Sequence, residues 1–237
     1  MPPRRMDSAA RLRGAVRRLL AAGCLAGTSL PAAAYTLTLT PASPNTIYLQ
    51  VGQGTFTGGT CNTANNPDNS ANCTYDAGAS AGTNTTISTV SVSVTASAVG
   101  NSTAQAMTTN SAQANSFLDN YTFCVPPGQL YIGGFWRTTG NGNGSLSVTA
   151  AVPANLTSST GGTIPFSQIS WTTGGNGDTG GEPFPAGTFT AGAAAQNIGT
   201  IAQNQWAESC WTFSYANKTI PLAGTYTGEV VYTAAAP

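Results

Sequence analysis

The sequence predicts an all-β protein: an antiparallel β-sandwich, immunoglobulin-like or jelly-roll-like, stapled by disulfides. Three observations carry that prediction. Apolar residues alternate with Ser and Thr at period two along most of the chain, as expected of strands with one buried face. Gly- and Asn-rich clusters, such as Thr139-Gly140-Asn141-Gly142-Asn143-Gly144 and Gly174-Gly175-Asn176-Gly177-Asp178, separate these runs and supply positive φ at little cost. No apolar face is sustained over three helical turns.

Residues 1–34 stand apart in composition. Arg4, Arg5, Arg11, Arg13, Arg17 and Arg18 form a basic start, a small apolar run covers 19–30, and Ala32-Ala33-Ala34 offers an A-x-A cleavage site. These are the three parts of a secretory signal, so 1–34 is expected to be removed and Tyr35 to begin the mature protein. A membrane anchor is the competing reading, but the apolar run is about a dozen residues against the ~20 a spanning helix needs. Leu20-Ala21-Ala22-Gly23-Cys24 loosely resembles a lipobox, but too few apolar residues separate Arg18 from Cys24. Export places the protein at the cell surface or in the medium, with the periplasm as a further alternative.

Residues 35–237 are expected to form a single β-sandwich domain, with two smaller β-domains as the alternative. Tyr35, Leu37 and Leu39 alternate with Thr in a first run over 35–40, followed by 46–51. Over 86–96, Ile87, Val90, Val92 and Val94 predict a half-buried strand, whereas 102–118 reads as a long Ala/Thr/Asn loop. Runs over 129–137 and 145–152 flank an Asn-Gly turn signal and are predicted to pair as a hairpin. Further strands are expected over 164–172, 211–215 and 225–233. Many short strands with closely spaced turns favour a sandwich or barrel over other all-β folds.

The mature chain keeps two cations, Arg137 and Lys218, against seven acids, a net charge of −5. That leaves no electrostatic footprint for a phosphate backbone or an anionic bilayer, so neither nucleic acid nor a membrane span is expected. Cys61, Cys73, Cys124 and Cys210 remain after processing, and with no histidine and no C-x-x-C pair they favour disulfides over a metal site. Three pairings are open. Cys61–Cys73 is favoured because it would staple a loop poor in apolar residues, which leaves Cys124–Cys210 to close a long loop. Alternation puts Cys124 on the face of Thr122, and Cys210 on the face of Thr212 and Ser214. A bridge between neighbouring strands on an outer sheet surface is therefore expected.

The absence of histidine excludes Ser-His-Asp and Cys-His catalysis. Asp178 and Glu182 are the closest carboxylate pair for glycoside hydrolysis or for calcium, yet a Gly-rich turn is a poor platform for either, and solvated turn residues are the plainer reading. No catalytic residue, metal or cofactor is expected. Trp136, Trp171, Trp206 and Trp211 could stack on sugar faces or pack in the core. Trp206, in the polar context Ala202-Gln203-Asn204-Gln205, and Trp136 are the candidate glycan contacts.

Residues 223–233, Ala-Gly-Thr-Tyr-Thr-Gly-Glu-Val-Val-Tyr-Thr, resemble the closing strand of bacterial surface β-sandwich families: spore-coat-U-like and archaic chaperone–usher pilin subunits, and WxL domains. No Trp is followed by x-Leu, unlike WxL domains, and Tyr232 is not next to last as in many pilins. The pilin resemblance implies an incomplete sandwich completed by a neighbour's extended strand, with Tyr35, Leu37 and Leu39 as the donor side chains. The sequence thus points to a non-catalytic structural or adhesive surface protein of fimbrial type, which self-assembles or joins another surface subunit. A secreted carbohydrate-binding module is the alternative.

Overall fold

The computed structural model describes residues 46–54, 56–57, 80–81, 87–118, 121–138, 144–178 and 180–237. The long strands among them are β1 (Thr46–Val51), β2 (Leu130–Arg137), β3 (Ser145–Ala151), β4 (Ile169–Gly174), β5 (Gln196–Ala202), β6 (Trp206–Tyr215) and β7 (Val231–Ala235). One sheet runs β1-β2-β6-β4 and continues to the short strand Gly187–Thr188; the other runs β5-β3-β7. These neighbours all pair antiparallel. The protein is thus all-β and antiparallel, with these two larger sheets accompanied by three two-stranded ones among the described residues.

Alternation dictates the interior. Leu146, Val148 and Ala150 of β3 and Ile198 and Ile201 of β5 share one buried cluster with Leu130, Ile132 and Trp136 of β2 and Trp211 and Phe213 of β6. Between them, Ser145, Ser147 and Thr149 point outward, so β3 keeps one dry and one wet face. Each large apolar side chain buried in this way contributes roughly 1.5–3 kcal/mol.

β2 does not form the expected hairpin with β3. It lies between β1 and β6, and its outward Tyr131 and Phe135 are as buried as its inward residues. A strand paired on both edges and covered on both faces has no edge left for β3, which instead pairs with β5 and β7 in the other sheet. The Asn-Gly signal reported local turn chemistry only. Gly134 allows the close approach of β1, since a Cβ there would meet the Tyr48 carbonyl oxygen.

Three further expectations are adjusted by packing. Among the described residues 87–96 of the run over 86–96, only Val90–Ser91 pairs, with Thr108–Thr109; Val90, Val92 and Val94 are half-buried against the core while Ile87 is exposed. The run over 164–172 is broken at Phe166–Gln168, a 3-10 turn that follows Pro165. The last strand lies later than predicted, at Val231–Ala235. Residues 102–118 contain only the short strands Gln105–Ala106 and Thr108–Thr109 and are otherwise irregular, as expected of a loop.

Residues 182–187, connecting β4 to β5, enter the interior. Phe184 is fully buried, and the surrounding backbone is satisfied by side-chain donors: Trp211 Nε1 to the Phe184 carbonyl (3.1 Å) and Trp171 Nε1 to the Pro185 carbonyl (2.9 Å). The Thr200 amide of β5 donates to the Pro183 carbonyl at 3.3 Å. Burying an irregular segment requires such partners for its carbonyls. Both sheets are thereby tied to one connection.

Candidate functional site

In β6, Ala207, Trp211 and Phe213 face the core between the sheets, so Trp206, Glu208 and Cys210 fall on the outer face of the first sheet. Register places Trp206 opposite Phe135, and Phe135 opposite Tyr48. The three rings lie near-parallel, with every pair of centroids 5.8–6.1 Å apart, a compact triangle contributed by three strands. Such cross-strand aromatic pairs contribute about 0.2–1 kcal/mol each. Glu208 is fixed beside this cluster, because the Tyr131 hydroxyl and Trp206 Nε1 both donate to its Oε2 at 2.8 Å. Burial, and then the Glu208 carboxylate, hold the Tyr131 hydroxyl well above its ordinary pKa of 10.

The segment that covers this face brings its own aromatics. Phe117 and Phe123 meet Tyr131 edge-on at 6.0 and 6.5 Å, and Cys124 is bonded to Cys210 with a Cα–Cα distance of 5.5 Å. The disulfide lies on the outer face of the sheet, away from the core between the sheets. It differs from the expected bridge in two respects. Cys124 belongs to the covering segment and not to a neighbouring strand, and both residues are buried, at 1% and 0% exposure. Thr122, Thr212 and Ser214 suggested a wet surface, but Tyr131 and Phe135 share that surface from β2 and make it a second apolar cluster. Cys61 and Cys73 lie outside the described residues.

The tryptophans separate by face. Trp136 is 7% exposed and packs in the core between the sheets, where Trp171 and Trp211 sit 5.2 Å apart. Trp206 is half-buried and lines an open groove of 490 Å3, with Ser145, Thr200, Gln205 and Glu208 among the other lining residues. Asn204 shapes the turn that sets Gln205 and Trp206: it takes a positive φ of 57°, its amide donates to the Trp136 carbonyl (2.7 Å), and its Oδ1 accepts the Thr138 amide (3.1 Å). The role of Glu208 was not apparent from a strand taken to begin at Trp211. Extending the same alternation back to Trp206 puts Trp206, Glu208 and Cys210 on one face.

Asp178 and Glu182 do come together. Ser209 donates its hydroxyl to Glu182 Oε2 at 2.6 Å. The Glu182 pKa is raised above its ordinary 4.5, chiefly by burial, with Asp178 adding to the shift and the Ser209 bond opposing it. Among the described residues no group of three or more His, Cys, Asp or Glu could hold a metal ion. Because the folded chain holds this proton more tightly than the unfolded chain, the protonated form favours folding. That contribution is fully present below pH 4.5 and is lost as pH rises through the higher folded value. Glu182→Gln retains an acceptor for Ser209, so it is expected to flatten the thermal stability profile from pH 4.5 towards neutrality, by a small amount because the side chain is largely solvated. Parallel profiles for the two chains in a thermal melt series would contradict this assignment.

β7 is an edge strand, paired only with β3 among the described residues, and its inward Tyr232 and Ala234 are half-buried. The edge strand of the other sheet, β1, comes alongside it. Tyr35, Leu37 and Leu39 lie outside the described residues. No helix among the described residues is long and apolar enough to cross a membrane. The chain matches no protein-family model, no curated protein and no solved structure.

Proposed function

We propose that this chain is a non-catalytic, exported structural or adhesive protein of the bacterial surface, a fimbrial-type subunit that joins copies of itself or another surface subunit. The observation that carries the reading is the edge of β7, unpaired on one side among the described residues, beside that of β1. An edge strand presents unpaired N–H and C=O groups that accept a further strand through main-chain hydrogen bonds. Tyr232 and Ala234 are half-buried against the core there, so an added strand with apolar residues at every second position would cover them. Tyr35, Leu37 and Leu39 have that spacing, and after removal of 1–34 they would lead the mature chain.

The test is size-exclusion chromatography and electron microscopy of mature protein purified from its host. Filaments or a ladder of oligomers are expected, and Leu37→Asp with Leu39→Asp should convert them to monomers of unchanged circular dichroism. A native preparation that remains a compact monomer at every concentration would overturn the reading. A secreted carbohydrate-binding module is the second reading, and the groove beside Trp206 is the observation that favours it.

A further inference from the structure

The groove at the start of β6 gathers side chains that are distant in sequence. Ser145 comes from the start of β3, Thr200 from the exposed face of β5, Gln205 from the turn, and Trp206 and Glu208 from β6; Leu118 adds an apolar edge. At 490 Å3 it falls within the size range of small-ligand sites. We propose that this groove binds a neutral saccharide, as a segment of a glycan or polysaccharide chain. The ligand class is that of the carbohydrate-binding reading; the site does not depend on assembly.

Three features select that chemistry. A pyranose has hydroxyls at its rim and C–H groups on its faces, so it needs apolar surface beside hydrogen-bonding groups. Trp206 and Leu118 supply the former, and Glu208, Ser145, Thr200 and Gln205 the latter. Glu208 is preorganised as an acceptor: both bonds it receives fall on Oε2, and Oε1 accepts none among the described residues. Two donors on one oxygen hold the carboxylate plane before any ligand arrives.

Electrostatics and composition exclude the rivals. A phosphorylated or carboxylated ligand would be repelled by Glu208, and no Lys or Arg is among the described residues that line the groove. A quaternary ammonium group is recognised by a cage of aromatic rings, and among the described residues of the lining Trp206 alone is aromatic.

The test uses the monomeric fraction of the mature chain, titrated calorimetrically with cello-, chito- and manno-tetrasaccharides, and with choline chloride as the cationic probe. Saturable binding of at least one tetrasaccharide is expected. Trp206→Ala should weaken it at least tenfold and Glu208→Gln several-fold, whereas Ile220→Ala, at a site 82% exposed and outside the groove lining, should leave it unchanged. Since Trp206 also belongs to the aromatic cluster with Tyr48 and Phe135, Thr200→Trp provides a second variant: Thr200 is exposed, so filling the groove from there should abolish binding without altering the melting temperature. No heat with any tetrasaccharide would overturn the proposal. Saccharide binding insensitive to Thr200→Trp, or choline binding lost with Glu208→Gln, would overturn it equally. The Leu37→Asp, Leu39→Asp chain should bind as the native chain does, so failure to assemble and failure to bind sugar remain separate results.

Discussion

Phe184→Ala is expected to lower the unfolding free energy by about 3–5 kcal/mol, the usual range for emptying a fully buried aromatic site. Phe184 has no exposed surface, and its ring meets Trp211 edge-on at 6.5 Å. The cavity cannot close easily, because the carbonyls around it are held by Trp211, Trp171 and the Thr200 amide. Gly199 of β5 shows how tight the site is, since a Cβ there would meet the Phe184 ring at 2.6 Å. For a domain of this size the melting temperature should fall by roughly 6–20 °C. Phe184→Leu should recover part of that loss. Thermal melts followed by near-ultraviolet circular dichroism measure both, and a fall of under about 2 °C for Phe184→Ala would place this connection outside the cooperative core.

Loss of the Cys124–Cys210 bridge is the second large effect expected. The cysteines are 86 residues apart, and in the chain-entropy model a loop of that length stabilises the fold by about 4–5 kcal/mol. Both side chains are buried among Phe117, Phe123 and Tyr131, so Cys124→Ala with Cys210→Ala avoids leaving a polar hydroxyl there. The double variant should unfold at markedly lower denaturant, with a steeper dependence because its unfolded chain is more open. The covering segment should also exchange its amide hydrogens faster than β3 and β5. An unchanged midpoint would show that the segment is held by Phe117 and Phe123 alone.

Much of the fold was legible in the sequence. β1, β2, β3 and the C-terminal half of β6 lie where alternating β-branched and aromatic residues predicted them, because a residue's face in a strand depends only on its parity. Parity also placed Cys210 opposite Trp211 and Phe213, on the outer side of its sheet. Neither the hairpin of β2 with β3 nor a long ladder over 86–96 formed, because partner choice is decided between segments distant in sequence. β2 was taken up on both edges by β1 and β6.

The candidate site was less legible. Trp206 was singled out by its polar neighbours, whereas Trp136, the second candidate, went into the interior because β2 is covered on both sides. The importance of Glu208 rests on Tyr131, 77 residues away, and no local pattern encodes that contact. Asp178 and Glu182 were singled out as neighbours in sequence, but their contact with each other and the link of Glu182 to Ser209 arise from the path of the β4–β5 connection.

Composition and alternation alone thus determined that the chain is all-β, poor in charge and without histidine, and which face most strand residues occupy. Only the tertiary structure decided which strands pair, that the Cys210 face is a second apolar cluster, and that Trp206 and Glu208 share a groove with Ser145 and Thr200. The physical reason is range: parity is set by the backbone within two residues, whereas register and burial are set by which distant segments compete for the same edge and the same face.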